Sequence, residues 1–271
     1  MKKDPKSGTP KDTHYARLRR AHRDRVHQEG ERPGDGLVQL YGLHTVRAAL
    51  DNPARRLRRM LVTRNALARL ELSEPLSFPF PAEIVEPRDI DRIAGTDAVH
   101  QGVLVEAEPL KPKPLSALSD TRLVLVLDQV TDPHNVGAIM RSAVAFGAGA
   151  LITTGRHSPA ETGVLAKSAS GALEHIDHIE VRNLADALGE LHEAGFQTIG
   201  LDSEGPAELE KSFSGERIAL VLGAEGKGLR QKTRDTVTTL ARLDMPGAIR
   251  SLNVSNAAAV AMYAAGKYLA G

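Results

Sequence analysis

The chain has 271 residues, a formal net charge of +1 and no cysteine, which allows one large domain or two modest ones but excludes disulfides, iron–sulfur clusters and thiolate zinc sites. No apolar run reaches the roughly 20 residues of a membrane span, so we expect a soluble, cytoplasmic protein with no membrane partner. We also expect no metal partner, because the chain has no thiolates and its histidines lie in unrelated segments. Because the net charge is so small, any affinity for nucleic acid must come from local clusters of basic residues.

The first 36 residues are polar and basic and contain almost no large apolar side chains. Such a segment cannot bury enough surface to offset the entropy that is lost on ordering. We therefore predict a disordered basic tail over residues 1–36. It acts either as a solubilising extension or as an arm that follows RNA phosphates, and the sequence leaves both interpretations open.

Residues 37–106 carry short alternating patterns that predict a small α/β domain. The predicted helices are near 43–50, 67–70 and 88–93, and the predicted strands are 60–62, 82–85 and 102–106. Between the first helix and the first strand lies a dense basic cluster of four arginines: Arg55, Arg56, Arg58 and Arg59. This cluster is either a solvated charged face or a surface that contacts RNA phosphates.

Prolines recur in residues 107–121, and we predict a linker there because proline denies the chain helix and sheet hydrogen bonds. Residues 122–271 then form a second domain. Strands and helices alternate along it, which predicts an open, mostly parallel α/β sheet covered on both faces. The predicted strands are 123–127, 150–153, 176–181, 197–201, 217–222 and 237–243, and the predicted helices are 135–147, 161–168, 184–194 and 253–269.

The first helix of this second domain places an arginine among small and apolar residues. Asn135 is a suitable N-cap for the helix, and Gly147 is a suitable end. Arg141 lies in mid-helix, where a guanidinium needs either a structural carboxylate partner or a ligand anion. On chemistry alone, the structural partner is the favoured interpretation.

The last quarter of the chain contains the most informative segments. Residues 222–229 (LGAEGKGL) end a β-rich run in a loop with glycines around Glu225, which lets backbone groups approach a ligand closely. Its spacing matches neither the dinucleotide fingerprint nor the P-loop. Residues 251–257 (SLNVSNA) gather polar side chains before an alanine-rich helix. Together the two segments predict one ligand site.

Three segments taken together resemble the ordered motifs of the SpoU (TrmH-type) RNA 2'-O-ribose methyltransferases: residues 135–141 (NVGAIMR), 222–229 and 251–257. In the front domain, residues 41–46 (YGLHTV) and 98–103 (AVHQGV) resemble the substrate-binding domain of the 23S rRNA guanosine methyltransferase branch of that family. The resemblance covers residues 38–270. It implies a trefoil-knot (SPOUT) methyltransferase domain after a small α/β substrate-binding domain, with S-adenosylmethionine bound at the knot of a homodimer.

The resemblance also implies roles for individual residues. The cofactor would be held by backbone groups of Gly223, Leu243 and Leu252. The polar residues of the active site would be Asn135, Arg141, Glu225, Ser251 and Asn253. In the implied reaction a ribose 2'-oxygen attacks the methyl group of the cofactor. Because a guanidinium stays protonated in proteins, we interpret Arg141 as an anchor for the adjacent phosphate and a positive charge that favours the developing alkoxide. With the resemblance counted, this functional role of Arg141 becomes the favoured one.

The chain departs from the family pattern at two places. Where the family commonly has Ile-Pro-Met, this chain has residues 243–245 (LDM) with Pro246 displaced, which bears on the backbone beside the cofactor. Ala264 stands in place of a glutamate that often occurs late in the closing helix, which bears on a dimer or substrate contact.

The resulting hypothesis is an enzyme that methylates a guanosine ribose of 23S ribosomal RNA. A close alternative is a tRNA guanosine 2'-O-methyltransferase of the same family, although tRNA members often lack the front domain. An alternative from a different class is a non-catalytic RNA-binding or ribosome-assembly protein that kept the fold. The polar residues that the family's active site requires favour an enzyme over such a protein, because all four are present: Asn135, Arg141, Glu225 and Asn253.

Overall fold

The computed structural model describes residues 36–118 and 120–271. The basic tail predicted over residues 1–36 therefore lies outside the described residues, apart from Gly36. Residues 37–271 form one compact unit that contains two separate sheets.

The front sheet consists of four short strands with three helices between them. The strands are β1 (Val38–Tyr41), β2 (Leu57–Val62), β3 (Ala82–Ile84) and β4 (Val103–Ala107), and the helices are α1 (Leu43–Asp51), α2 (Arg64–Arg69) and α3 (Pro87–Ala94). The strand order is β1-β4-β2-β3, in which β4 is antiparallel to both neighbours and β2 and β3 are parallel. The predicted short helices and strands are all present, and β1 is the strand that the patterns missed.

Side-chain alternation along the front strands explains why helices cover both faces of this sheet. Met60 and Val62 of β2 pack with α1 and α2, whereas Leu61 packs with Ile90 of α3 on the opposite face. The starts of the two shorter helices are set by side chains. The Thr63 hydroxyl accepts a hydrogen bond from Ala66 N at the start of α2, and Glu86 forms a capping box at the start of α3.

The second sheet contains seven strands, and all of them are parallel. They are β5 (Leu123–Asp128), β6 (Ala150–Thr154), β7 (Asp177–Val181), β8 (Gln197–Leu201), β9 (Ala207–Glu208), β10 (Ile218–Gly223) and β11 (Thr239–Arg242). Their order is β7-β6-β5-β10-β8-β11-β9. The apolar runs of β5 and β10 lie at the centre and are buried on both faces. The prediction of an open, mostly parallel α/β sheet is confirmed.

Helices cover both faces of the parallel sheet. They are α4 (Pro133–Ala145), α5 (Gly163–Ala169), α6 (Leu184–Glu193), α7 (Gln231–Thr236) and α8 (Val254–Leu269). Apolar residues of α4, α5 and α8 share a core with Leu125 and Leu220, whereas α6 packs against Val126 and Ala219 on the other face. The sequence patterns missed β9 and α7, because the first has only two residues and the second has no apolar face.

Gly137 lets α4 approach α5 very closely. A Cβ at this position would lie 2.6 Å from the carbonyl oxygen of Leu165 and 2.6 Å from the Cβ of Ser168. Any side chain would push the two helices apart. The glycine therefore fixes the position of α4, which carries Asn135 and Arg141.

Residues 107–121 are tied to the parallel sheet. The N–H of Lys113 donates to the carbonyl of His178 at 2.8 Å, and Lys113 forms an isolated parallel bridge with Ile179. A short 3-10 helix, Leu115–Ala117, follows. The prediction that prolines keep this segment out of sheet pairing is wrong at Lys113, because a residue between two prolines still has its own N–H to donate.

Candidate active site

A cleft of about 480 Å³ opens at the carboxyl edge of the parallel sheet. It lies between the loops that follow β5, β6 and β10 and the start of α8. Its lining includes Asp132, Asn135, His157, Glu225, Lys227 and Val254. Open α/β sheets bind their ligands at this edge, so the cleft is the candidate active site.

The start of α4 delivers Asn135 to the cleft. Asp132 is the N-cap, and its Oδ1 accepts a hydrogen bond from His134 N at 3.0 Å. Pro133 occupies the first turn, where its missing N–H costs nothing. The prediction that Asn135 is the N-cap is therefore wrong, because the N-cap lies three residues earlier. As a result the Asn135 side chain is buried in the helix and lines the cleft.

The glycine loop after β10 folds back on its own strand. The N–H of Gly228 donates to the carbonyl of Ala224 at 2.8 Å, and a Cβ on Gly223 would overlap the backbone of Gly228 and Leu229. Gly226 and Gly228 have φ values of 77° and 66°, a region that disfavours other residues. This tight turn leaves Glu225 exposed at the cleft.

Asp128, at the end of β5, is an anchoring residue that the sequence patterns did not single out. It is fully buried, and its carboxylate accepts hydrogen bonds from Arg230 N at 2.9 Å and from Arg230 Nε at 2.6 Å. The carboxylate therefore ties the far end of the glycine loop to the neighbouring strand. A lone aspartate at the end of a buried apolar run was the available signal, since such a group needs a partner.

The third motif segment leads into α8. Asn253 is the N-cap, and its Oδ1 accepts hydrogen bonds from Ser255 N at 2.8 Å and from Ser255 Oγ at 2.6 Å. Ser251 and Leu252 are exposed, and Leu243 is half-buried against the main core. Of this segment only Val254 lines the cleft.

Arg141 lies apart from the cleft. It is exposed, lies six residues after Asn135 on α4, and does not line the cavity. Within the described residues its guanidinium has no hydrogen bond or ion pair with another side chain. The structural carboxylate partner that chemistry alone favoured is thus not found in the described part of the chain, and a positive charge is left for a ligand.

Two further residues of the cleft had not been assigned to it. They are His157, in the loop after β6, and Lys227, in the glycine loop. Their position could have been expected from the rule that loops after neighbouring parallel strands meet at one edge.

The basic cluster divides into one buried arginine and three that remain at the surface. Arg55 is buried, with NH1 2.5 Å from Glu161 Oε1 and NH2 2.5 Å from Glu174 Oε1. Asn52 Nδ2 also donates to Glu174 at 2.6 Å. The prediction that Arg55 contacts RNA is corrected, because its side chain is enclosed and its charge is satisfied by these carboxylates.

The pKa values of the Glu161 carboxyl and the Arg55 guanidinium are both raised in this group. Burial raises the pKa of the Glu161 carboxyl, against the opposing effect of the Arg55 guanidinium. Burial alone would lower the pKa of Arg55, but the hydrogen bonds and charges of Glu174 and Glu161 raise it. Arg55 therefore stays charged and joins the loop after α1 to the second domain.

The other three arginines of the cluster have accessible side chains. Arg58 pairs with Glu108 and Arg59 pairs with Glu83 at 3.0 Å, both at the surface, while Arg56 is exposed. Exposed ion pairs of this kind contribute little stability and exchange readily for a phosphate partner.

Comparison with known proteins identifies the family. A model described as the SpoU rRNA Methylase family matches residues 122–263, and one described as RNA 2'-O ribose methyltransferase substrate binding matches residues 39–113. The chain belongs to the SpoU methylase family. Among similar curated proteins is the 23S rRNA (guanosine-2'-O-)-methyltransferase RlmB of Ralstonia nicotianae, which is 40% identical over 83% of this chain and 94% of that protein. The enzyme of the same name from Pseudomonas putida is 36% identical over 84% and 96%.

Solved structures of methyltransferases share the fold. The SpoU methyltransferase AviRb from Streptomyces viridochromogenes in complex with AdoMet aligns with a TM-score of 0.71 and 21% identity, over 92% of this chain and 93% of that one. An AdoMet-bound rRNA methyltransferase from Sinorhizobium meliloti aligns with a TM-score of 0.72 and 21% identity, over 92% and 91%. The predicted fold class, a SPOUT-type α/β domain after a small substrate-binding domain, is confirmed. The knot itself stays a prediction.

No helix within residues 36–118 and 120–271 combines the length and apolar character needed to cross a membrane. In the same residues no three histidine or carboxylate side chains are grouped so that they could hold a metal ion.

Proposed function

We propose that the protein is an S-adenosylmethionine-dependent RNA 2'-O-ribose methyltransferase that acts on a guanosine of 23S ribosomal RNA in the cytoplasm. The observation that carries the proposal is the cleft at the carboxyl edge of the sheet. There Asn135 and Glu225, from two of the three motif segments, line one cavity with Val254 of the third. The names of the curated relatives, at 34–40% identity, support 23S ribosomal RNA and guanosine as the substrate.

The residues around the glycine loop fit S-adenosylmethionine. Gly223 has no room for a side chain. At Gly226, Gly228 and Gly247, in contrast, the space that a Cβ would occupy is empty, so the backbone groups there are accessible to a ligand. We assign cofactor binding to backbone groups of Gly223, Leu243 and Leu252. When bound, S-adenosylmethionine supplies a methyl group carried on a sulfonium sulfur. A trefoil knot that brings these three segments together belongs to the same proposal.

The polar side chains then act on the RNA. Asn135 and Glu225 hydrogen-bond the ribose. Asn253 caps α8 and so positions Val254 in the wall of the cleft, and Ser251 shapes the loop that precedes this cap. Arg141 cannot accept the proton of the 2'-hydroxyl, because a guanidinium stays protonated. It instead holds an adjacent phosphate and favours negative charge on the 2'-oxygen.

We propose that the active site is completed in a homodimer. Arg141 is exposed outside the cleft, on the helix that packs against α8. On α8, Val260 and Tyr263 are 48% and 55% exposed one helical turn apart, and Phe146 contacts Tyr263 edge-on. Large exposed apolar side chains that form one patch are typical of a protein interface. A second copy seated on this patch would bring its own cleft close to Arg141.

Arg56, Arg58 and Arg59 supply the sequence-independent part of RNA affinity in this proposal. They are accessible on the front domain, and Arg58 and Arg59 give up only surface ion pairs when they bind phosphate.

The role of Arg141 provides the direct test of this site. Arg141→Ala should lower methyl transfer to RNA about 100- to 1000-fold, as expected when one stabilising donor is removed, and should leave S-adenosylmethionine affinity unchanged. Turnover is measured with radiolabelled cofactor and cofactor affinity by calorimetry. Arg122→Ala, an exposed arginine at the opposite edge of the sheet, is the matched control and should be fully active. Near-normal turnover of Arg141→Ala would show that Arg141 is not part of the active site.

A further inference from the structure

A second and larger cleft lies in the front domain. Its volume is about 800 Å³, and its walls come from Thr63 and helix α2, from the end of β3 and the start of α3, and from residues 101–102. Cavities of this size commonly hold a small ligand or one unit of a larger one. The arginines of the basic cluster, 55–59, do not line it.

We propose that this cleft holds one unstacked nucleotide of the RNA substrate, an inference that rests on the proposed function. One wall is apolar and accessible: Ile84 is 37% exposed and lies beside Val85 and Pro87. A nucleobase that leaves its stack needs such a wall to replace the contacts it loses. RNA is recognised mainly through unstacked bases of this kind.

The α2 side of the cleft carries two arginines that can hold a phosphate, while the carboxylates of Glu86 and Asp89 line the α3 side. Arg64 has a side chain that is 78% exposed and pairs with Glu74 at 3.0 Å, a surface contact that is easily exchanged. Arg69 is exposed as well, and within the described residues it has no ion pair or side-chain hydrogen bond. Both guanidinium groups are therefore available for bidentate contact with RNA phosphates.

The polar end of the cleft offers both a donor and an acceptor to a base edge. Gln101 Oε1 accepts hydrogen bonds from Leu43 N at 3.1 Å and from Lys167 Nζ at 2.9 Å, which orients the Nε2 donors away from these groups. Glu86 uses its carboxylate to cap α3 and keeps further acceptor capacity. Gln101 also has a φ of 56°, and non-glycine residues held in this region occur often at binding sites.

The same glutamine places the cleft at the junction with the catalytic domain. Lys167, its partner, lies on α5, and α5 packs directly against the α4 helix that carries Asn135. RNA held in the front cleft can thus continue along the surface toward the catalytic cleft. We infer that the front cleft positions the RNA strand and contributes to substrate selection.

The test uses the full-length protein and a transcript of 23S ribosomal RNA. Ile84→Glu should raise the KM for this RNA at least about fivefold, because a charge replaces the apolar wall. The double variant Arg64→Ala with Arg69→Ala loses two phosphate contacts. The slope of log affinity against log salt concentration, which is negative, should therefore become less steep by about 1.4. The kcat at saturating RNA and the affinity for S-adenosylmethionine should not change. Arg122→Ala is again the control.

The outcomes separate this inference from the proposed function. If the wild-type protein methylates the RNA but both variants keep its KM and salt slope, the nucleotide subsite is wrong. If the wild type binds the RNA without methylating it, the proposed function fails, and filter binding of the same variants still tests the cleft. Should a variant not fold, crosslinking of 4-thiouridine-containing RNA to the wild type decides. Crosslinks at residues 63–69, 84–87 or 101–102 support the subsite, and their absence there contradicts it.

Discussion

At the residue scale, Gly223 is the position in the candidate active site that has the least room for a side chain. The strand end and the returning loop are so close that a Cβ would overlap the backbone of Gly228 and Leu229, and backbone cannot move aside as a side chain can. The loop that carries Glu225 thus depends on one residue having no side chain.

We predict that Gly223→Ala displaces residues 224–228, destabilises the fold by about 1–3 kcal/mol and weakens S-adenosylmethionine binding at least about tenfold. Urea unfolding and calorimetry measure the two effects. Gly189→Ala is the control, because Gly189 lies within α6 with open space around it, and alanine there should add about 0.5–1 kcal/mol of stability. Unchanged cofactor binding in Gly223→Ala would show that the tight loop is not needed for the site.

The identity of most candidate residues could be predicted from the sequence, but their surroundings could not. Asn135 and Glu225 do line one cleft. Arg55 and Arg56 are adjacent in sequence, yet only Arg55 is buried, because it pairs with Glu161 and Glu174. Both partners are more than a hundred residues away along the chain. Local charge patterns contain no information about such partners.

At the scale of elements, a buried ionic cluster fastens the front domain to the parallel-sheet domain. Arg55 and Asn52 come from the loop after α1, whereas Glu161 precedes α5 and Glu174 ends a short 3-10 helix. Glu161 also accepts a hydrogen bond from Leu110 N at 2.9 Å, so residues 107–121 are held by the same group.

Breaking this cluster should be costly. We predict that Glu174→Ala lowers the free energy of unfolding by about 3–5 kcal/mol, because Arg55 is left buried with less compensation for its charge. Arg58→Ala, which removes the neighbouring exposed pair with Glu108, should cost less than about 1 kcal/mol. Urea denaturation compares the two variants. A loss below 1 kcal/mol for Glu174→Ala would mean that the cluster does not stabilise the chain.

The order of helices and strands was largely predictable, because β5 and β10 are continuous apolar runs and the helices between them have clear apolar faces. The short elements β9 and α7 could not be predicted. Strand β9 has only two residues and the six residues of α7 are all polar, so neither gives a periodic hydrophobic pattern. The sheet order β7-β6-β5-β10-β8-β11-β9 depends on pairings between distant segments, which no local pattern specifies.

At the scale of the whole molecule, the proposed homodimer explains why Arg141 is exposed outside the cleft. If α8 forms the interface, Tyr263→Asp should weaken dimerisation at least about thirtyfold, as expected when a central interface residue is replaced by a charge. Sedimentation velocity measures the effect. Val99→Asp, at another apolar side chain that is 67% exposed, should leave the dimer intact. A wild-type protein that is monomeric at micromolar concentration would contradict the dimer.

The most direct test of the central claim is a methyl-transfer assay with the wild-type protein. Radiolabelled S-adenosylmethionine is supplied with 23S ribosomal RNA, both as a naked transcript and within large-subunit precursors, and the RNA is digested to nucleosides. The account predicts label in 2'-O-methylguanosine alone. Label in a methylated base or in another nucleoside, or no label with either form of the RNA, would contradict it.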